Sequence, residues 1–103
     1  MKKILVICKG TGQSEAFKKV ALEFIEKNSL NIEFTFANEN EYSDIIESEN
    51  IELVLISPEM LLVDAQVKKD LDSKGVKYYS VKGSDFGLRR IDTIVEAIKP
   101  LLG

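Results

Sequence analysis

The sequence predicts an α/β protein: an open four-stranded parallel sheet in the order 2-1-3-4, with helices on both faces. Three observations carry this. Short apolar runs at residues 4–8, 32–36, 53–56 and 76–81 alternate with longer stretches whose apolar residues recur every three or four positions. Such alternation, joined by right-handed crossovers, gives parallel strands covered by helices, with a switch in winding direction between the first and third strands. The 103 residues make one domain, 1–103, large enough to bury a single core without staples.

The first strand is the run Ile4, Leu5, Val6, Ile7, Cys8, continuous enough to be buried on both faces. Residues 9–13 read as a glycine-containing loop. From 14 to about 28, Phe17, Val20, Ala21, Phe24 and Ile25 mark one face of an amphipathic helix that stops at Asn28 and Ser29. Ile32, Phe34 and Phe36 alternate with Glu33 and Thr35, which suits an edge strand with one wetter face. Residues 38–50 are polar and read as a loop or short helix held by Tyr42, Ile45 and Ile46. Its acids, which continue to Glu52 with no Lys or Arg between, suit a solvated face.

The third strand, 53–56, is wholly apolar and is stopped by Ser57 and Pro58. Met60, Val63, Val67 and Leu71 then repeat at helical spacing until Gly75. Residues 76–81 form the fourth strand and 82–87 a loop with two glycines, in which Phe86 is an anchor. Ile91, Ile94, Val95, Ile98 and Leu101 line the last helix, with Pro100 near its end. Lys68, Lys69, Arg89 and Arg90 read as solvated rims.

Composition narrows the function. A net charge of −3 lacks the basic footprint that nucleic acid requires. There is no histidine and one cysteine, which excludes an intramolecular disulfide, Cys/His zinc sites and a Ser-His or Cys-His nucleophile pair within the chain. No residue cluster calls for a metal. No apolar run approaches the roughly 20 residues that cross a bilayer, and the apolar stretch at the start is shorter than a secretory signal's. The expectation is a cytoplasmic protein with no membrane insertion.

The informative segment is Cys8, Lys9, Gly10, Thr11, Gly12, Gln13, Ser14. It leaves a buried strand at the switch point and enters a helix. Two glycines allow a turn with N–H groups facing inward, and the helix start adds unpaired N–H groups and partial positive charge. Together with the Thr11 and Ser14 hydroxyls these form a cradle for phosphate, a cysteine phosphate loop after the first strand. The local field is expected to make Cys8 solvent-reachable and more acidic than a free thiol, with Lys9 helping. The same residues also fit a buried small side chain followed by an ordinary turn. Pro58 and Glu59 arrive at the same end of the sheet and form a possible rim. Glu15 and Glu59 add negative charge there, which opposes a phosphate dianion.

On these residues the sequence resembles the enzyme IIB component of the bacterial phosphotransferase system, of the lactose/cellobiose/chitobiose type. Chains of that family are about this long and open with an apolar strand that ends in cysteine. The lactose branch continues as Cys-x-Gly-x-Gly-x-Ser, a form that Cys8, Gly10, Gly12 and Ser14 fit. The strand that runs into Ser57 and Pro58 also matches, although the family usually continues with glutamine where this chain has Glu59. The stretch from Gly75 to Gly83 resembles the family's fourth strand and following loop.

The resemblance implies a phosphotransferase of sugar uptake. Cys8 takes phosphate from a phosphohistidine of enzyme IIA, becomes phosphocysteine, and passes the phosphate to a disaccharide such as cellobiose, chitobiose or lactose bound by membrane enzyme IIC. Lys9, Gly10, Thr11, Gly12, Gln13 and Ser14 would hold the phosphoryl oxygens. No cofactor beyond the phosphocysteine is implied, and the free chain is expected to be a monomer, peripheral to a membrane transporter.

Two further likenesses are local. Residues 11–15 are similar to the phosphate loop with which flavodoxins hold flavin mononucleotide. The alternative reading is accordingly a flavin-binding electron carrier, with Tyr78 or Phe86 against the flavin, or a non-catalytic phosphate-binding module. Low-molecular-weight tyrosine phosphatases share a cysteine loop but need an arginine six residues after the cysteine, where this chain has Ser14.

Overall fold

Strands β1 (Lys2–Ile7), β2 (Ile32–Ala37), β3 (Leu53–Ile56) and β4 (Tyr78–Ser80) lie parallel in the order β2-β1-β3-β4. The computed structural model describes residues 1–102. Helices α1 (Gly12–Lys27), α2 (Tyr42–Ser48), α3 (Asp64–Lys74), α4 (Gly83–Gly87) and α5 (Ile91–Ile98) connect and cover the sheet, with 3-10 turns at Pro58–Met60 and Lys99–Leu102.

The period of two along each strand divides the core into two layers. Ile4, Val6, Leu53 and Leu55 pack on one face with Phe17 and Ala21 of α1 and with Ile94 and Ile98 of α5. Leu5, Ile7, Val54 and Ile56 pack on the other with Tyr42 of α2 and Val67 and Leu71 of α3. A strand covered on both faces must be apolar throughout, which is why β1 and β3 read as continuous runs. Full burial of each such side chain stabilises the fold by about 1.5–3 kcal/mol. Edge strand β2 keeps Glu33 exposed between buried Ile32 and Phe34.

Three boundaries differ from the sequence expectation. Helix α1 begins at Gly12 rather than at 14, because Thr11 is the N-cap and accepts the Ser14 N–H. Regular pairing in β4 spans three residues rather than 76–81. Val76 at its start is spent in closing α3, its N–H donating to the Leu71 carbonyl at 3.0 Å. Residues 83–87 are a helix rather than a loop, held by Phe86, which is 1 % exposed. Its glycines had suggested a turn, and one apolar residue leaves no period to read. The polar 38–50 segment supplies short helix α2. The acids beyond and at its end are partly paired: Glu49 with Lys3 at 3.3 Å and Glu52 with Lys2 at 3.6 Å. Among the described residues no helix is long and apolar enough to cross a membrane.

Candidate functional site

The site forms where the neighbours of β1 part. Ile7 lies in register with Ala37 on one side and Ile56 on the other. The Cys8 N–H still donates to the Ala37 carbonyl at 2.9 Å, and the Ser57 N–H to the Ile7 carbonyl at 3.1 Å. Beyond that point the chain of β2 leads to α2 and the chain of β3 to the Pro58–Met60 turn. Cys8 therefore ends the central strand at the switch point, where open α/β sheets bind ligands.

Gly10 makes the turn. Its φ of 77° lies in the left-handed region, which costs an L side chain about 1–2 kcal/mol. Gly12 has no positive φ and nothing within 4 Å of an added Cβ, so only the first glycine of the pair is required by the backbone. Thr11 caps α1: its hydroxyl oxygen accepts the Ser14 N–H at 3.3 Å, and the Ser14 hydroxyl donates back to the Thr11 carbonyl at 3.0 Å.

The thiol is less acidic than the sequence suggested, and less open. Cys8 is 7 % exposed. Burial pushes its pKa above the ordinary thiol value, and the Glu59 and Glu15 carboxylates push the same way. The nearby Gly10 N–H and Ser14 hydroxyl favour the thiolate but do not offset the lost solvation. The helix N-terminus was legible in the sequence. The depth of the sulfur beneath the loop was not.

Cys8, Lys9, Gly10 and Ser14 line a cleft of about 150 Å³ on the β2 side of the loop. Glu15 and Lys18 of α1 and Asn38 and Glu41 ahead of α2 complete it. This is well below the roughly 300–1,000 Å³ of a typical ligand pocket, a size for a small anion rather than a sugar. Lys18, whose Nζ lies 5.5 Å from the centre of the Phe36 ring, is the functional candidate that the sequence reading missed. The available signal was its position one turn after Ser14 on the same helix face. Asn38 and Glu41 had no local signal.

The remaining candidates lie elsewhere around the loop. The Gln13 side chain rests against Gly87, 3.2 Å from where a Cβ there would stand. The Thr11 hydroxyl and the Lys9 N–H both donate to Glu59, the latter at 2.8 Å. Pro58 starts the 3-10 turn that carries Glu59. Next to it the Ser57 hydroxyl is buried without a hydrogen-bond partner. Phe86 is enclosed in the core against Phe17, and Tyr78 is packed on the opposite core layer, so neither stands at the cleft. Arg90 lies 3.7 Å from buried Asp85, and Lys68 pairs with Asp64 at 2.9 Å, as rim cations do. Among the described residues no group of three or more His, Cys, Asp or Glu is placed to hold a metal ion.

Fold and loop together define a class: a four-stranded parallel α/β domain with a cysteine loop at its switch point. No family model and no curated protein matches the sequence. Solved structures do match the fold, among them two IIB components of the phosphotransferase system. The cellobiose-specific IIB component of Borrelia burgdorferi superposes with a TM-score of 0.79 at 13% identity, over 98% of this chain and 91% of that one. The lactose-specific IIB component domain of Streptococcus pneumoniae gives a TM-score of 0.71 at 18% identity, over 92% of this chain and 95% of that one. The chain has the IIB fold, of the type its loop resembles.

Proposed function

We propose that the chain is a IIB component of a sugar phosphotransferase system, working as one domain over residues 1–103, with Cys8 as the phosphoryl carrier. The observation that carries this reading is the place of the Cys8 sulfur. It follows the central strand of a IIB-type fold, lies beside the Gly10 N–H and the Ser14 hydroxyl, and borders a cleft of phosphoryl size.

The chemistry follows from that place. Cys8 sulfur attacks the phosphorus of a phosphohistidine on a IIA partner. The S–P bond forms as the P–N bond breaks, and the electron pair goes to the departing imidazole nitrogen. A thiol held above its ordinary pKa stays protonated until the donor docks. The leaving imidazole then takes the thiol proton, so the step needs no base within this chain. The loop N–H groups hold the transferred oxygens, and catalysis comes from positioning and preorganised dipoles. In the second step a hydroxyl of a disaccharide, such as cellobiose, chitobiose or lactose, attacks the phosphorus. The S–P bond breaks, its pair returns to sulfur, and the hydroxyl proton is released. The small cleft leaves selection of the sugar to a membrane IIC partner. The free chain then acts as a monomer at the cytoplasmic face.

Deleting the chain from its host tests this. Growth on the transported disaccharide is lost, the wild-type chain restores it and Cys8→Ser does not. Restoration by Cys8→Ser would contradict the reading.

A further inference from the structure

The turn after β3 holds a carboxylate against the loop. The Lys9 N–H donates to Glu59 Oε1 at 2.8 Å, and the Thr11 hydroxyl donates to Glu59 Oε2. These two donors flank Gly10. A carboxylate offers them what a phosphoryl group offers: charged oxygens that accept from neighbouring N–H and O–H groups. Two anions cannot use them together, because like charges at hydrogen-bonding range repel. The turn itself is fixed from below by Met60, which is fully buried, whereas Glu59 is partly exposed. Its side chain can leave the donors without disturbing the turn.

We infer that Glu59 is the resident anion of the Cys8 loop, filling the Lys9 N–H and Thr11 hydroxyl until a phosphoryl group displaces it. The inference rests on the phosphoryl-carrier reading and adds a selectivity device to it. Free inorganic phosphate must compete with a tethered carboxylate and binds weakly. A phosphoryl group bonded to Cys8 is tethered too, and competes on equal terms. Glu59 thereby makes the loop respond to covalently delivered phosphate over phosphate in solution.

The test uses the full chain and inorganic phosphate alone. Glu59→Gln keeps an acceptor for both donors and removes the charge. Thermal melts over a phosphate series should show about tenfold tighter binding than wild type. Glu59→Ala should change it in the same direction and serves if the glutamine variant does not fold. A readout independent of stability is the rate of Cys8 alkylation by anionic iodoacetate relative to neutral iodoacetamide, which should rise several-fold in either variant. Unchanged or weaker phosphate binding, or an unchanged rate ratio, overturns the inference. Neither measurement needs a phosphodonor. Failure here with Cys8 still labelled by a phosphorylated IIA protein removes only the resident anion. Success here without such labelling removes only the carrier reading.

Discussion

The Phe17 and Phe86 rings stack with centroids 4.7 Å apart and planes 29° apart, joining the first turns of α1 to α4. The contact matters to the site because α1 starts in the cysteine loop, and Gln13 at that start rests on Gly87 of α4. A short helix that the sequence reads as a loop is thus part of what holds the loop in place.

Phe86→Ala should therefore cost about 3–5 kcal/mol, the usual loss for a buried aromatic. Phe86→Leu should cost much less, since it keeps most of the volume. Urea denaturation measures both. A loss under about 1 kcal/mol for the alanine variant would mean that the site does not depend on α4 packing.

The two loop glycines should behave differently. Gly10→Ala forces an alanine into the left-handed region and should destabilise the chain by about 1–2 kcal/mol. It should also turn the Gly10 N–H away from Cys8. Gly12→Ala, at the first position of α1, should be neutral or slightly stabilising. Equal losses in thermal melts would contradict the backbone assignment.

The Cys8 thiol should alkylate with a pH midpoint above that of a free thiol, because burial comes first among the influences on it. The linkage has a definite sign. A pKa raised by folding leaves its stabilising contribution complete below the unfolded thiol value. That contribution is lost as pH rises through the folded value. Cys8→Ala should remove this alkaline loss. A midpoint at or below the free thiol's would restore the activated thiolate that the sequence suggested.

Much of this was legible in the sequence. β1 and β3 are buried on both faces and so read as unbroken apolar runs, and their positions fix the switch point above Cys8. The cysteine loop was legible because glycine, hydroxyl and helix start fall at fixed offsets. Helix α4 was not, because Phe86 is a single apolar residue between two glycines. The bond between Lys9 and Glu59 joins residues fifty positions apart, and no local pattern pairs them. The cleft wall from Asn38 and Glu41 exists only because β2 lies beside β1. The Cys8 pKa depends on depth, which periodicity does not report.

On the opposite face, the Tyr42 hydroxyl donates to Asp70 Oδ2 at 2.8 Å, tying α2 to α3. The Tyr42 pKa is pushed up to about 12 by burial first and then by Asp70. Asp70 is held below the usual carboxylate range, by Lys74 first and Tyr42 second. Tyr42→Phe should cost about 1 kcal/mol. Asp70's contribution is present above the unfolded carboxylate pKa and lost as pH falls through the folded one. Lys74→Met should flatten that acid limb more than Tyr42→Phe does. The reverse order, in urea titrations across acid pH, would contradict the ranking.

Phosphoryl transfer to Cys8 is one event at one atom, and intact-mass spectrometry after incubation with a phosphorylated IIA protein reads it directly. The wild-type chain should carry a single acid-sensitive phosphoryl adduct, mapped to Cys8 and absent from Cys8→Ser. An adduct that persists in Cys8→Ser, or that maps to another residue, would contradict it.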